Sequence, residues 1–288
     1  MVAPAAQETL GARLRAAAAR LEGVCATARL DAEVLLAHTL QRDRAYLRAH
    51  LDDPLPPPAA SAYAQLVARR AQGVPVAYLT GVQEFWSLPL RVSEAALVPR
   101  ADTELLVELA LQLLPPEREA AVADLGTGTG AVAIALARER PRARMVATEA
   151  CAAARALAQS NIERWAPGGV DLRAARSGWF DALHDERYDL ILSNPPYIAA
   201  HDPHLEADGV RYEPRLALVS GPDGLDALRA IIAGAAAHLH GGGWLLLEHG
   251  FQQGEAVRAL LSAHGYVEVA THADLAGQPR VSAGRRAG

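Results

Sequence analysis

Asn194-Pro195-Pro196-Tyr197 follows directly on Tyr188-Asp189-Leu190-Ile191-Leu192-Ser193. The apolar run reads as a buried strand, and it must end at the prolines because proline cannot donate to a sheet ladder. The four residues are therefore presented at the carboxyl edge of a sheet, where open α/β sheets bind their ligands. Asn194 offers a side-chain carbonyl. Pro195 offers a backbone carbonyl on a chain whose φ is locked, and Tyr197 adds an aromatic face. Two fixed acceptors beside a ring suit a planar –NH2 group with two donors, either a carboxamide or the exocyclic amine of a base. The lone pair of such a nitrogen is delocalised, so chemistry there requires the group to be held and aimed at an electrophile. Taken alone, the same four residues also make a turn, since Asn-Pro and Pro-Pro are common turn dipeptides.

The electrophile is suggested upstream. Asp124-Leu125 ends another apolar strand pattern and runs into Gly126-Thr127-Gly128-Thr129-Gly130, after which a helix is predicted over 131–140. Glycines there let the backbone turn tightly and approach a nucleoside. Glu149 falls about twenty residues beyond the loop, at the end of the second predicted strand, where its carboxylate can accept both ribose hydroxyls. A nicotinamide dinucleotide competes for this pair of features. However, the spacing is G-x-G-x-G without the third glycine of the dinucleotide pattern, and an Asn-Pro-Pro-Tyr edge has no part in hydride transfer. S-adenosylmethionine (SAM) accounts for both motifs, its sulfonium methyl being an electrophile for a weak nitrogen nucleophile.

The elements that must position these motifs fall into two regions. Thr9 is a predicted N-cap for a helix carrying Leu10, Leu14, Ala17, Ala18 and Leu21 on one face, ended by Gly23. Further helical patterns run from Leu30 to Leu40, from Arg44 to Leu51 and from Ser61 to about Gly73, with 55–58 as a break. Residues 1–73 are thus an all-helical domain. Residues 74–100 change to short extended pieces at 85–92 and 96–99, read as a hairpin linking two domains. Residues 101–288 follow as the third span. There, Asp102-Thr103-Glu104 caps a helix that Pro115-Pro116 stops. Strand patterns at 121–125, 144–148, 172–175, 188–193, 244–248, 266–270 and 280–283 alternate mostly with helical ones. That alternation predicts an α/β fold with a doubly wound, mostly parallel, Rossmann-like sheet.

Composition narrows the function classes. The 288 residues include 51% hydrophobic ones, ample for a core in one or two domains. Net charge is −5, all 28 basic residues are arginine, and the isoelectric point is near 6.1, which argues against a broad nucleic-acid footprint. Cys25 and Cys151 lie far apart and suggest neither a disulfide framework nor a zinc site. His201 and His204 flank Asp202 without a clear further ligand, so no metal is expected. The start lacks a leader pattern and no apolar run is long enough to span a bilayer, so a cytoplasmic protein with no membrane partner is expected.

The chain resembles the HemK/PrmC family of glutamine N5-methyltransferases that modify class 1 peptide chain release factors. The likeness covers almost the full length and rests on separated stretches: 73–81, Glu84-Phe85-Trp86, Val98-Pro99-Arg100 with Asp102-Thr103-Glu104, the glycine loop, Trp179-Phe180, 193–198, 210–214 and 246–250. The resemblance implies a class I SAM-dependent methyltransferase domain behind a helical domain that docks the release factor, acting as a monomer without direct contact with nucleic acid. It implies that Gly126, Thr127, Gly128, Thr129 and Gly130 line the methionine and ribose of SAM, that Glu149 holds the ribose and that Trp179 lies beside the adenine. Asn194 would face both SAM and substrate. Asn194 and Pro195, with Pro196 and Tyr197, would hold the glutamine amide of the Gly-Gly-Gln motif for in-line transfer, leaving S-adenosylhomocysteine. Glu149 stands where the family usually has Asp, Ala101 where it has Pro, and Gly178 where a polar residue is common. The aromatic pair Trp179-Phe180 has core filling as its second reading. An adenine-N6 methyltransferase of DNA or RNA is the alternative that the acceptor pair alone leaves open. It would need phosphate-binding and base-extruding features that the acidic balance does not suggest.

Overall fold

The computed structural model describes residues 8–176, 178–207 and 209–288; residues 1–7, read above for a leader, lie outside them. By its internal contacts the chain divides into two units, one of residues up to Gly81 together with Glu206–Tyr212, the other of Val82–Leu205 and Glu213–Gly288.

The first unit is helical. Helix α1 (Leu10–Leu21) starts where Thr9 Oγ1 accepts the Ala12 N–H at 3.2 Å, as the sequence predicts, and Gly23 at φ +80° turns the chain away. Helices α2 (Ala28–Leu40) and α3 (Arg44–Ala49) follow. Helix α4 (Pro57–Ala71) begins four residues ahead of the expected Ser61. Pro57 and Pro58 open its first turn, where a missing N–H forfeits nothing. Residues 74–81, grouped with the hairpin on sequence, add a further helix to this unit, α5 (Val76–Thr80), closed by left-handed Gly81. Leu21, Leu35, Leu36, Leu47 and Tyr63 form the core. Inside it Arg70 Nε meets Asp31 Oδ2 at 2.7 Å. Tyr212 packs on this core, and its hydroxyl donates to the Gln72 carbonyl at 2.8 Å.

The second unit opens with a hairpin of β1 (Val82–Phe85) and β2 (Leu88–Arg91), shorter and earlier in the chain than the expected pieces at 85–92 and 96–99. The chain reverses at Trp86 and Ser87, both at positive φ (51° and 58°), inside what reads as one extended stretch. A fold-level contact holds this uncommon turn: Trp86 donates its backbone N–H to Glu104 Oε1 at 2.8 Å and its indole N–H to Glu139 Oε1 at 2.9 Å.

Then come α6 (Glu104–Leu113), β3 (Ala121–Leu125), α7 (Ala131–Glu139), β4 (Arg144–Glu149), α8 (Ala152–Trp165), β5 (Val170–Ala174) and β6 (Tyr188–Ser193). The series closes with α9 (Asp226–His238), β7 (Leu239–Glu248), α10 (Gly254–Ala263), β8 (Tyr266–Ala273) and β9 (Pro279–Arg286). Strand β7 begins five residues before the expected Trp244, because 240–243 (His-Gly-Gly-Gly) carry no apolar pattern to announce a strand.

The sheet runs β5-β4-β3-β6-β7-β9-β8, parallel through β7, with β9 antiparallel to both neighbours. Side chains alternate across it. Val122, Leu190, Leu192 and Leu246 meet α6 and α7 on one face, while Ala123, Leu125, Ile191 and Leu245 meet α9 and α10 on the other. From β3 the chain crosses to β4 on one side and later returns to β6 on the other. Their carboxyl ends therefore flank the crevice where doubly wound sheets bind ligands.

Candidate active site

A cavity of about 730 Å³ opens at that crevice. Its floor is the loop after β3. The N–H groups of Gly126 and Thr127 both donate to the Thr148 carbonyl at 2.9 Å, which pins the loop to the end of β4. Gly126, Gly128 and Gly130 have φ of +70°, +57° and +83°, a region that side-chained residues enter only at a cost. At Gly126 space adds a second constraint, since a Cβ would stand 3.1 Å from the Trp179 ring. Beneath the loop, Thr127 Oγ1 donates to Asp124 Oδ2 at 2.6 Å. Burial pushes the Asp124 carboxyl up to about 6, against the pull of that hydroxyl, and the charge of Glu149 adds to the rise.

Glu149 closes β4 and faces the loop. Its Oε2 accepts the Gly128 N–H at 2.9 Å and its Oε1 the Cys151 N–H at 2.8 Å. These two bonds aim the carboxylate along the cavity wall, and each oxygen keeps lone-pair capacity for a further donor. Trp179 lines the cavity opposite Gly126. Its neighbour does something else: Phe180 stacks on His238 with ring centroids 4.9 Å apart. The aromatic pair thus divides between cavity and core.

Strand β6 delivers Asn194. Ser193 Oγ donates to the Leu125 carbonyl at 2.7 Å, locking the ends of β6 and β3 together. Asn194 Nδ2 donates to Thr103 Oγ1 at 3.1 Å, whereas Asn194 Oδ1 is buried and without a hydrogen-bond partner among the described residues. Asn194 and Pro196 line the cavity. Pro195 is buried beside them, outside the lining, and Tyr197 points away from it into the core, its hydroxyl 3.4 Å from Glu248 Oε1. His201 and His204 stand apart from the cavity lining, and His249 is fully buried with Nε2 2.8 Å from Ser282 Oγ.

Four residues that sequence reasoning assigned no chemical part hold this site together. Thr103, expected to cap α6, ends a 3₁₀ turn instead and makes no side-chain cap; its hydroxyl turns to Asn194. Glu248, at the end of β7, is buried, and desolvation lifts its carboxyl to about 7 despite the Thr103 hydroxyl, the Arg280 charge and the Tyr197 hydroxyl. Asn161 is buried on α8 and bonds the Thr129 carbonyl at 2.9 Å as well as both backbone groups of Arg91. Glu213 is buried too; it accepts the Val98 N–H at 3.0 Å and pairs with Arg100 at the cavity edge. Thr103, Glu213 and Glu248 fall in stretches that carry the resemblance (102–104, 210–214 and 246–250), whereas Asn161 falls in none.

A parallel sheet with one antiparallel strand, a glycine loop after its first strand and an acidic side chain closing its second define a SAM-dependent methyltransferase of the Rossmann-like class. Comparison with known proteins agrees. Residues 13–81 match the family model of the PrmC N-terminal domain and residues 101–208 that of the methyltransferase small domain. The chain is 52% identical over 274 residues to the release factor glutamine methyltransferase of Xylella fastidiosa strain Temecula1, covering 95% of this chain and 97% of that protein. It is 49% identical to the enzyme of the same name from Pseudomonas aeruginosa, over 90% of this chain and 93% of the other. In fold, a methyltransferase from Pyrococcus furiosus superposes with a TM-score of 0.54 at 17% identity, over 78% of this chain and 99% of that one. The chain belongs to the release factor glutamine methyltransferase family.

Proposed function

We propose that this chain transfers a methyl group from SAM to the side-chain amide nitrogen of the glutamine in the Gly-Gly-Gln loop of a class 1 release factor. One observation carries the reading. Asn194 Oδ1 is a buried acceptor without a partner among the described residues, at the wall of a nucleoside-sized cavity, and an unpaired buried carbonyl costs about 1 to 3 kcal/mol unless a ligand satisfies it. An amide N–H does so.

The residues present suit SAM. The positive-φ glycines leave backbone room, the Glu149 carboxylate presents acceptor capacity for two hydroxyls, and the Trp179 ring offers a flat apolar wall for a base. When bound, SAM supplies a methyl on a sulfonium centre. The Pro195 carbonyl, expected as a second acceptor, belongs to a residue outside the cavity lining, so Asn194 Oδ1 takes an amide proton and orients the nitrogen within the cavity. The Ser193 bond to β3 fixes that acceptor relative to the glycine loop. Such positioning can supply about 7 to 11 kcal/mol of a barrier when reacting groups are held near attack geometry. No strong base is required: the amide proton becomes more acidic as the N–C bond forms and leaves late, to an acceptor already holding it or to water. An acid or ester side chain has no N–H to give Asn194, and that mismatch sets the specificity. The helical unit, without a chemical motif of its own, serves to dock the protein substrate, and the setting is the cytoplasm, where release factors work.

The test is methyl transfer from labelled SAM to a folded class 1 release factor. The expected result is one added methyl on the Gly-Gly-Gln glutamine by mass spectrometry, lost when that glutamine is replaced by alanine, with duplex DNA unlabelled. Efficient labelling of adenine in DNA with the release factor untouched would instead establish a nucleic-acid methyltransferase.

A further inference from the structure

We infer that Thr103 is a positioning residue that decides which end of the Asn194 carboxamide meets the substrate. The inference rests on the glutamine reading above.

A carboxamide has an acceptor end and a donor end of nearly the same shape, and a hydroxyl can bond to either. If Thr103 donated to Asn194 Oδ1, the –NH2 of Asn194 would face the cavity and oppose the –NH2 of a glutamine. The structure has the other arrangement: Asn194 Nδ2 sits 3.1 Å from Thr103 Oγ1, and among the described residues Oδ1 is left buried and unpartnered. In that bond the Thr103 hydroxyl, itself 4% exposed, presents its lone pairs to Asn194 Nδ2. The carbonyl end is thereby committed to the substrate before any substrate arrives.

T103V keeps the shape and removes the hydroxyl, while T103S keeps the hydroxyl. In T103V the carboxamide can turn over, and a turned Asn194 offers donors that suit a carboxylate. Three readouts follow on the full-length chain with a folded release factor. SAM affinity by calorimetry is expected to be unchanged in T103V. Its kcat at saturating substrate is expected to fall about tenfold, the worth of one ordinary hydrogen bond in a transition state, with T103S restoring most of it. A release factor carrying glutamate in place of the glutamine should inhibit T103V more strongly, relative to wild type. A residue that merely supports the fold moves none of these in that combination.

T103A is the second arm and carries the test should T103V fail to bind SAM. It also removes the acceptor of Asn194 Nδ2, so kcat should fall and inhibition by the glutamate substrate should rise, again with SAM affinity kept. Wild-type kcat and unchanged selectivity in T103V, or in T103A where T103V has lost SAM binding, overturn the inference while leaving glutamine methylation intact. An inactive wild-type chain would instead overturn the functional reading itself.

Discussion

Single residues in the cavity make separable demands. Glu149 ties the glycine loop and the start of α8 through two backbone N–H groups, and in the proposed function it holds the ribose. Glu149→Ala is therefore expected to weaken SAM binding by at least tenfold, charge-assisted hydrogen bonds being worth about 1.5 to 3 kcal/mol each. Calorimetry with SAM checks it, and unchanged affinity would remove Glu149 from the cofactor site. Glu248 makes a prediction of another kind. Its folded carboxyl titrates at about 7 against an ordinary 4.5, so the folded state holds a proton that the unfolded chain releases. Stability is unaffected below the unfolded value and falls as pH rises from about 4.5 through 7, by roughly 3 kcal/mol from this group. Asp124, raised to about 6, acts in the same direction. The advantage of E248Q over wild type should thus grow between pH 5 and pH 8 in denaturant unfolding, and parallel curves would show that Glu248 stays ionised throughout. Asn194 was legible in the sequence because strand-ending prolines advertise it. Thr103 and Glu248 fall in stretches that carry the resemblance, but what they do lies in a contact across 91 residues for one and in burial for the other, which no local pattern announces.

At the scale of elements, the strands at 121–125 and 188–193 stand where apolar runs ending in glycine or proline put them. The α4 start, the early hairpin and the first residues of β7 do not. In each case a local rule was outvoted: prolines suit a first helical turn, Glu104 and Glu139 hold a left-handed reversal at Trp86, and three glycines sit in the irregularity between the pairs Tyr188–Leu239 and Leu190–Trp244. Asn161 is the clearest instance of an element held by a remote side chain. It is fully buried and joins α8 to β2 and to the glycine loop through Arg91 and the Thr129 carbonyl. Asn161→Ala leaves the buried Thr129 carbonyl and the part-buried N–H and carbonyl of Arg91 without this partner, and is expected to cost about 3 kcal/mol of stability, since each unsatisfied buried group costs about 1 to 3. Urea unfolding measures that loss. The same variant should bind SAM more weakly, since the loop loses its tether; an unmoved midpoint would mean the gap fills with water.

For the whole molecule, the expectation is that the helical unit supplies substrate affinity and the sheet unit supplies chemistry. Isolated peptides bearing Gly-Gly-Gln should accordingly be poor substrates beside the folded release factor, seen as a higher KM, and equal kcat/KM for both would deny the helical unit a docking part. The division into units also has a consequence for anyone who would exchange one. Residues 206–212 belong with the helices, and Tyr212 and Arg211 both hold the Gln72 carbonyl. Yet this segment is spliced into the stretch between Tyr197 and Glu213, both residues of the sheet unit. The helical unit is therefore sewn in at three places along the chain, and a cut at Gly81 opens only one seam. A chain beginning at Val82 would leave Tyr212 without its core, whereas replacing 206–212 by a short glycine-serine bridge as well should yield a better-behaved catalytic fragment. A chimera that borrows a relative's helical unit must import two pieces of sequence, matched to each other, to keep a docking module and a methyl-transfer site on one thread.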